Sequence, residues 1–302
     1  MRLDDERDSD NIEDMRGQSS GIGGGLGGGL GGLLGGLGGG RMGIGGLIVV
    51  GILALILGIN PLTLLGGGGG GGVPSQQIGQ PQEPAAAPAE RSNMDRFVSR
   101  VLATTEDSWA AQFKSELGQA YVAPKLVLFT GGVQSGCGAA QSAMGPFYCP
   151  ADSKVYLDQS FFDELARRFG APGDFAAAYV IAHEVGHHVQ NLLGISEQAQ
   201  RAQGRTSRTE ANAISVRVEL QADCLAGVWA KANADLLEPG DVDEAMRAAT
   251  AIGDDTLQRA AQGTVVPESF THGSSAQRTR WFKRGMDGGT IAACDTFRAD
   301  RL

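Results

Sequence analysis

The chain has 302 residues, 42% of them hydrophobic, and 34 acidic against 25 basic residues give a net charge of −9. With no basic stripe interleaved with aromatic side chains, that balance argues against a nucleic-acid partner. The length leaves room for one or two domains, but much of the glycine, 47 residues in all, falls in tracts before residue 73, so the first third is a poor candidate for a core.

In chain order, Met1 to Arg16 is highly charged and lacks aromatic residues, and Gly17 to Gly40 is mostly glycine with scattered leucine. Together they predict a disordered tail over residues 1–41. Met42 to Ile59 then runs 18 residues without a charge, and continuing to Leu65 gives 24, enough for one transmembrane helix that is apolar all round. A cleaved signal peptide would place its apolar region within about the first 15–30 residues, too early for this run. Arg7, Arg16 and Arg41 precede it and no basic residue follows until Arg91. The positive-inside rule therefore predicts a single-pass membrane protein, amino terminus in the cytoplasm and the remainder exported. Residues 66–93, rich in Gly, Pro, Ala and Gln, read as a flexible linker.

Residues 94–302 carry the periodicity of a folded domain. Helices are predicted over Met94–Ala103 and Thr105–Leu117, with Gly118 as a stop. Leu126–Phe129 and Lys154–Leu157 read as short strands flanking a Gly-rich loop bounded by cysteines. Further helices follow: Ser160–Arg168 with a Ser160/Asp163 capping box, Phe175–Leu193 after an Asp174 cap, and Thr209–Lys231. Val242–Thr250 after Asp241, Asp255–Gln262 and Ser275–Arg284 complete the set. The class is α+β, predominantly helical with a small sheet.

Within Phe175–Leu193 lies His183-Glu184-Val185-Gly186-His187. Positions i and i+4 share a helix face, so His183 and His187 can offer two imidazole nitrogens to one metal ion. Glu184, one residue along, is placed to take a proton from an attacking water rather than to ligate. Only four histidines occur in the chain, and His183, His187 and His188 crowd this one helix. A catalytic zinc ion has three protein ligands and one open position, and Glu219 on the Thr209–Lys231 helix is the candidate third. Asp223, four residues on, points the same way and is suited to accept the ring N–H of a zinc-bound histidine. The apolar neighbours of both acids predict burial, and buried acids need partners. His188 points elsewhere and reads as a packing residue or a supporting contact.

His183–Gln190 (HEVGHHVQ) and Glu219–Ala230 (ELQADCLAGVWA) resemble the neutral zinc metallopeptidase family of bacteria. Cys137-Gly138, Gly145–Pro150, Thr271–Ser275 and Gln277-Arg278 extend the resemblance through nearly the whole chain. It implies a zincin-like domain similar in plan to the gluzincins, one zinc ion, and peptide or protein substrates. A donor opposite the base is then expected to stabilise the oxyanion; His272 is the candidate, with Arg278 and Tyr148 as alternatives and a loop-packing role also open. The same resemblance implies an edge strand beside the zinc helix that pairs with extended substrate, and the strand around Val155 is the candidate.

Cys137, Cys149, Cys224 and Cys294 all follow the apolar run, and an even number suits disulfides in an oxidising compartment. Three connectivities are open; nearness in sequence favours Cys137–Cys149, leaving Cys224–Cys294. The rival functional reading is a membrane-anchored binding or scaffold protein with a structural or degenerate zinc site, in which Cys224 is a fourth ligand in principle, although it follows Asp223 and should face about 100° away.

Overall fold

The computed structural model describes residues 1–17 and 92–302. The Gly-rich part of the tail, the membrane segment at 42–65 and nearly all of the linker fall in 18–91, outside the described residues. Among the described residues no helix is long and apolar enough to cross a membrane.

Helix α1 (Asn93–Gln112) starts on a reciprocal cap between Ser92 and Asp95 and runs on through one wider turn, Phe113–Leu117, to Gly118 at φ 65°. One helix thus replaces the two expected. Thr104 and Thr105, where a break was expected, spend their hydroxyls on the carbonyls of Val101 and Leu102, and the helix continues.

The main sheet contains β1 (Ile12–Asp14), β2 (Lys125–Leu128), β5 (Phe147–Cys149) and β6 (Lys154–Leu157), in the order β1-β2-β6-β5. The pairs β1–β2 and β2–β6 are parallel, and β5–β6 is antiparallel. A separate hairpin, β3 (Gly132–Ser135) with β4 (Gly138–Gln141), fills the Gly-rich loop. Val155 therefore lies on an inner strand, with both edges paired, and cannot be the substrate edge. The strand edges of the sheet belong to β1 and β5.

Helices α2 (Ser160–Arg167), α3 (Asp174–Leu192), α4 (Ile195–Gln203) and α5 (Arg208–Ala232) follow, then α6 (Asp241–Ala251), α7 (Asp254–Gln262) and α8 (Ser275–Gly288). The expected Ser160/Asp163 box does not form, because Ser160 is already inside the helix and its N–H bonds to Asp158 at 3.0 Å. Asp174 likewise lies in the first turn of α3 rather than capping it. Helix α5 begins on a Ser207/Glu210 box and α8 on a Ser274/Gln277 box. The core gathers around α3, α5 and α8: Phe175 stacks on Trp229 at 5.7 Å, and Tyr179 meets Phe282 edge-on. Gly285 of α8 lies so close to the Cys224 carbonyl of α5 that a Cβ there would fall 1.9 Å from it. Only glycine allows these two helices to approach so closely.

Residues 1–17 are not part of a disordered tail. Met1 and Leu3 are buried, β1 extends the sheet, and the Met1 amine sits among Asp174, Glu238 and Asp241 at 2.9–3.1 Å. The charges that suggested disorder have distant partners: Arg7 with Glu106 and Asp107, Glu13 with Lys125 and Lys154, and Arg16 with Asp95. Buried Glu106 also accepts from Ser9 and Asn11. A strand paired with β2 must lie on the same side of any membrane as the domain. The expected arrangement, with the amino terminus and the domain separated by one crossing, is incompatible with that pairing.

Two disulfides, Cys137–Cys149 and Cys224–Cys294, close the fold and leave no free cysteine. The first ties the tip of the β3–β4 hairpin to the edge strand β5; the second ties the carboxyl-terminal segment to α5. Thiol titration of the native protein under denaturing, non-reducing conditions should find no reactive cysteine. Four reactive thiols would contradict this pairing.

Candidate metal centre

His183 and His187 project from one face of α3, with ring centroids 4.8 Å apart. Helix α5 crosses α3 where Gly186, inside the motif, faces Ala222. A Cβ at Gly186 would lie 3.0 Å from the Ala222 carbonyl oxygen, so the missing side chain lets the helices close and brings Glu219 up to the imidazoles. His183 Nε2 is 3.2 Å from Glu219 Oε2, and His187 Nε2 is 3.6 Å from Glu219 Oε1. One donor atom from each of the three residues lies within 4.8 Å of the other two. Two imidazole nitrogens and one carboxylate fit the donor set of a catalytic zinc ion.

Both rings are held from behind through Nδ1, so Nε2 faces the centre. His183 Nδ1 is 2.9 Å from Asp223 Oδ1, and His187 Nδ1 is 2.8 Å from Gln190 Oε1. Asp223 is fully buried and is clamped by the Arg278 guanidinium at 2.9 and 2.8 Å, with the Tyr179 hydroxyl bonded to the same carboxylate. Burial opposes ionisation of Asp223, but Arg278 and His183 outweigh it and hold the carboxyl down at about 2. Burial likewise opposes a charge on His183, yet Asp223 and Glu219 lift it to about 10. Glu219 is held well below the usual carboxylate range: burial opposes this, and the neighbouring His187 and His272 overcome it. An incoming cation therefore displaces protons from the imidazoles.

Glu184 is 8% exposed, and its carboxyl is pushed up by burial against the lowering pull of His187 and His183. His272 lies on the loop before α8. Gly273 packs that loop onto Leu220 and Val216 of α5, on either side of Glu219 in sequence. Asp254, fully buried, accepts the backbone N–H groups of Thr271, His272 and Gly273 at 2.7, 2.7 and 3.0 Å. It also meets His272 Nδ1 at 3.2 Å, which leaves Nε2 without a hydrogen-bond partner among the described residues. The other two oxyanion candidates are engaged elsewhere. Arg278 is spent on Asp223 and Tyr179, and the Tyr148 hydroxyl bonds His188 Nδ1 and Asn191, each at 3.0 Å. His188 also donates to the Val122 carbonyl at 2.7 Å, so it ties β5 to the loop before β2.

Sequence reasoning missed Gln190, Tyr179 and Asp254. Gln190 stands three residues after His187, a spacing that could have marked it, whereas Tyr179 and Asp254 reach the site only through tertiary packing.

With this geometry in place, the family can be stated. Residues 1–297 match the model of the family described as "putative neutral zinc metallopeptidase", and the chain belongs to that family. It is 49% identical over 299 residues to the uncharacterized protein YpfJ of Escherichia coli K12, covering 98% of this chain and 99% of that one. It is 45% identical over 225 residues to the uncharacterized protein Rv2575 of Mycobacterium tuberculosis, covering 70% and 74%. No solved structure matches the chain.

Replacing Asp223 by Asn keeps a hydrogen-bonding group behind His183 but removes the charge. Zinc affinity, measured by chelator competition, should fall about 10–100-fold. An unchanged affinity would show that Asp223 does not support the ligand.

Proposed function

We propose that the chain is a zinc-dependent peptidase, with His183, His187 and Glu219 holding one zinc ion and Glu184 as general base. The observation that carries this reading is the buried Glu184 carboxylate beside three converging donors. When bound, the ion supplies a Lewis acid that polarises a peptide carbonyl and makes water acidic enough to lose a proton near neutral pH. Glu184 takes that proton and returns it to the leaving amine. A buried carboxyl with raised proton affinity suits a group that must hold a proton between the two steps. His272, oriented by Asp254, donates from Nε2 to the developing oxyanion, a contribution of about 3 kcal/mol. An extended substrate pairs with β5, the edge strand beside α3, and main-chain hydrogen bonds there set its register.

The rival reading, a binding or scaffold protein with a structural zinc ion, needs a fourth protein ligand to close the site. Cys224 cannot supply it, because its sulfur is bonded to Cys294. A structural site also has no use for Glu184.

The two disulfides support a working place in an oxidising compartment, with residues 1–17 on the same side as the domain. The apolar run at 42–65 supports membrane attachment.

Replacing Glu184 by Gln should leave bound zinc unchanged, by metal analysis, while cleavage of a peptide library falls at least about 100-fold. The wild-type digest should stop with a chelator and resume with added zinc. Full activity in the Gln variant would exclude Glu184 as the base.

A further inference from the structure

Two buried glutamines connect His187 to the carboxyl-terminal segment. Gln190 is fully buried and Gln221 is 5% exposed. Their amide orientations are fixed by two main-chain carbonyls, which can only accept. Gln190 Nε2 donates to the Val218 carbonyl at 2.7 Å and to Gln221 Oε1 at 3.0 Å. Gln221 Nε2 donates to the Cys294 carbonyl at 2.9 Å. With its amide nitrogen spent in this way, Gln190 can turn only its oxygen to His187, whose Nδ1 is 2.8 Å away. His187 must therefore donate from Nδ1, so Nε2, which faces Glu219, is the ring nitrogen left for a ligand.

We propose that Gln190 and Gln221 are positioning residues, a directional relay by which the Cys294 carbonyl fixes the ring orientation and proton position of His187. The far end of the relay is anchored on both sides. Cys294 is bonded to Cys224 of α5, and two residues on, Thr296 donates to the Arg217 carbonyl at 2.7 Å while the Arg217 guanidinium bonds the Thr296 carbonyl. The two imidazoles are thus fixed by different chemistry: a charged carboxylate backed by Arg278 behind His183, and a neutral amide chain behind His187. The far end of the neutral chain is held by the disulfide and by the Thr296–Arg217 bonds, so the carboxyl-terminal segment bears on the metal centre although it contributes no ligand. Reduction of Cys224–Cys294 loosens the relay's anchor while leaving the support of His183 intact.

The relay can be tested on the full chain by two readouts that need no turnover. One is solvent exchange of the His187 Nδ1 proton in histidine-labelled protein, with the His183 Nδ1 proton as internal control. The other is the rate at which zinc leaves the loaded protein into a chelator. In Gln190→Leu the His187 proton should lose its protection and zinc release should speed up about 10–100-fold, with His183 unchanged. Gln221→Met and the paired Cys224→Ser, Cys294→Ser variant should move both readouts in the same direction by a smaller factor. If Gln190→Leu does not fold, Gln221→Met decides the question, since it keeps the Gln190–Val218 bond. Unchanged exchange and unchanged zinc release in a folded Gln221→Met or Gln190→Leu protein would overturn the relay. The zinc arm rests on the proposed function but the exchange arm does not. A wild-type chain that binds no zinc would defeat the metal reading and leave the relay to be judged by proton exchange alone.

Discussion

The close contact of α3 and α5 at Gly186 and Ala222 is the constraint on which the rest of the site depends. Spacing along α3 places two imidazoles side by side, but only the near approach of the second helix brings the Glu219 carboxylate within 3.2 and 3.6 Å of them. A side chain at Gly186 would have to push against the Ala222 backbone and widen that gap. The packing that buries the core therefore also sets the geometry of the donors. The same device recurs one layer further on, where Gly285 lets α8 lie against α5 and carries Arg278 to Asp223.

Electrostatics follow from that packing. Buried His183 and Asp223 stand against half-buried His187 and Glu219, a grouping that would be unfavourable without compensation. Arg278 supplies the positive charge for Asp223, and Asp223 in turn holds His183. Removing one partner of such a buried pair is costly because the other charge is left alone. Behind the second imidazole Nδ1 meets an amide rather than a carboxylate, so the two halves of the site respond differently to perturbation. Asp254 does for the His272 loop what Asp223 does for α3, gathering three backbone N–H groups and one ring nitrogen on a single buried carboxylate.

The candidate ligands were legible in the sequence because helix periodicity converts spacing directly into a shared face. His183 with His187, and Glu219 with Asp223, need no tertiary information to be placed. The disulfide pairing was favoured by nearness alone and agrees with the structure. The amino terminus was misread because a charged, aromatic-free opening is the composition of a disordered tail. Its charges are satisfied by residues about a hundred positions away, such as Glu106 for Arg7 and Lys125 for Glu13, which no local window contains. Val155 was placed at an edge because β5, only three residues long, gives almost no alternating pattern of its own. Helix α4 escaped notice for a related reason: of its nine residues only Ala199 is buried, so its apolar stripe is minimal.

X-ray absorption of the zinc-loaded protein tests the central claim most directly, because it reports which atoms surround the ion. The account predicts a shell of nitrogen and oxygen only, with histidine nitrogens at about 2.0–2.1 Å, and loss of part of that histidine signal in His187→Ala. A sulfur neighbour at about 2.3 Å, or a shell indifferent to residues 183, 187 and 219, would contradict it.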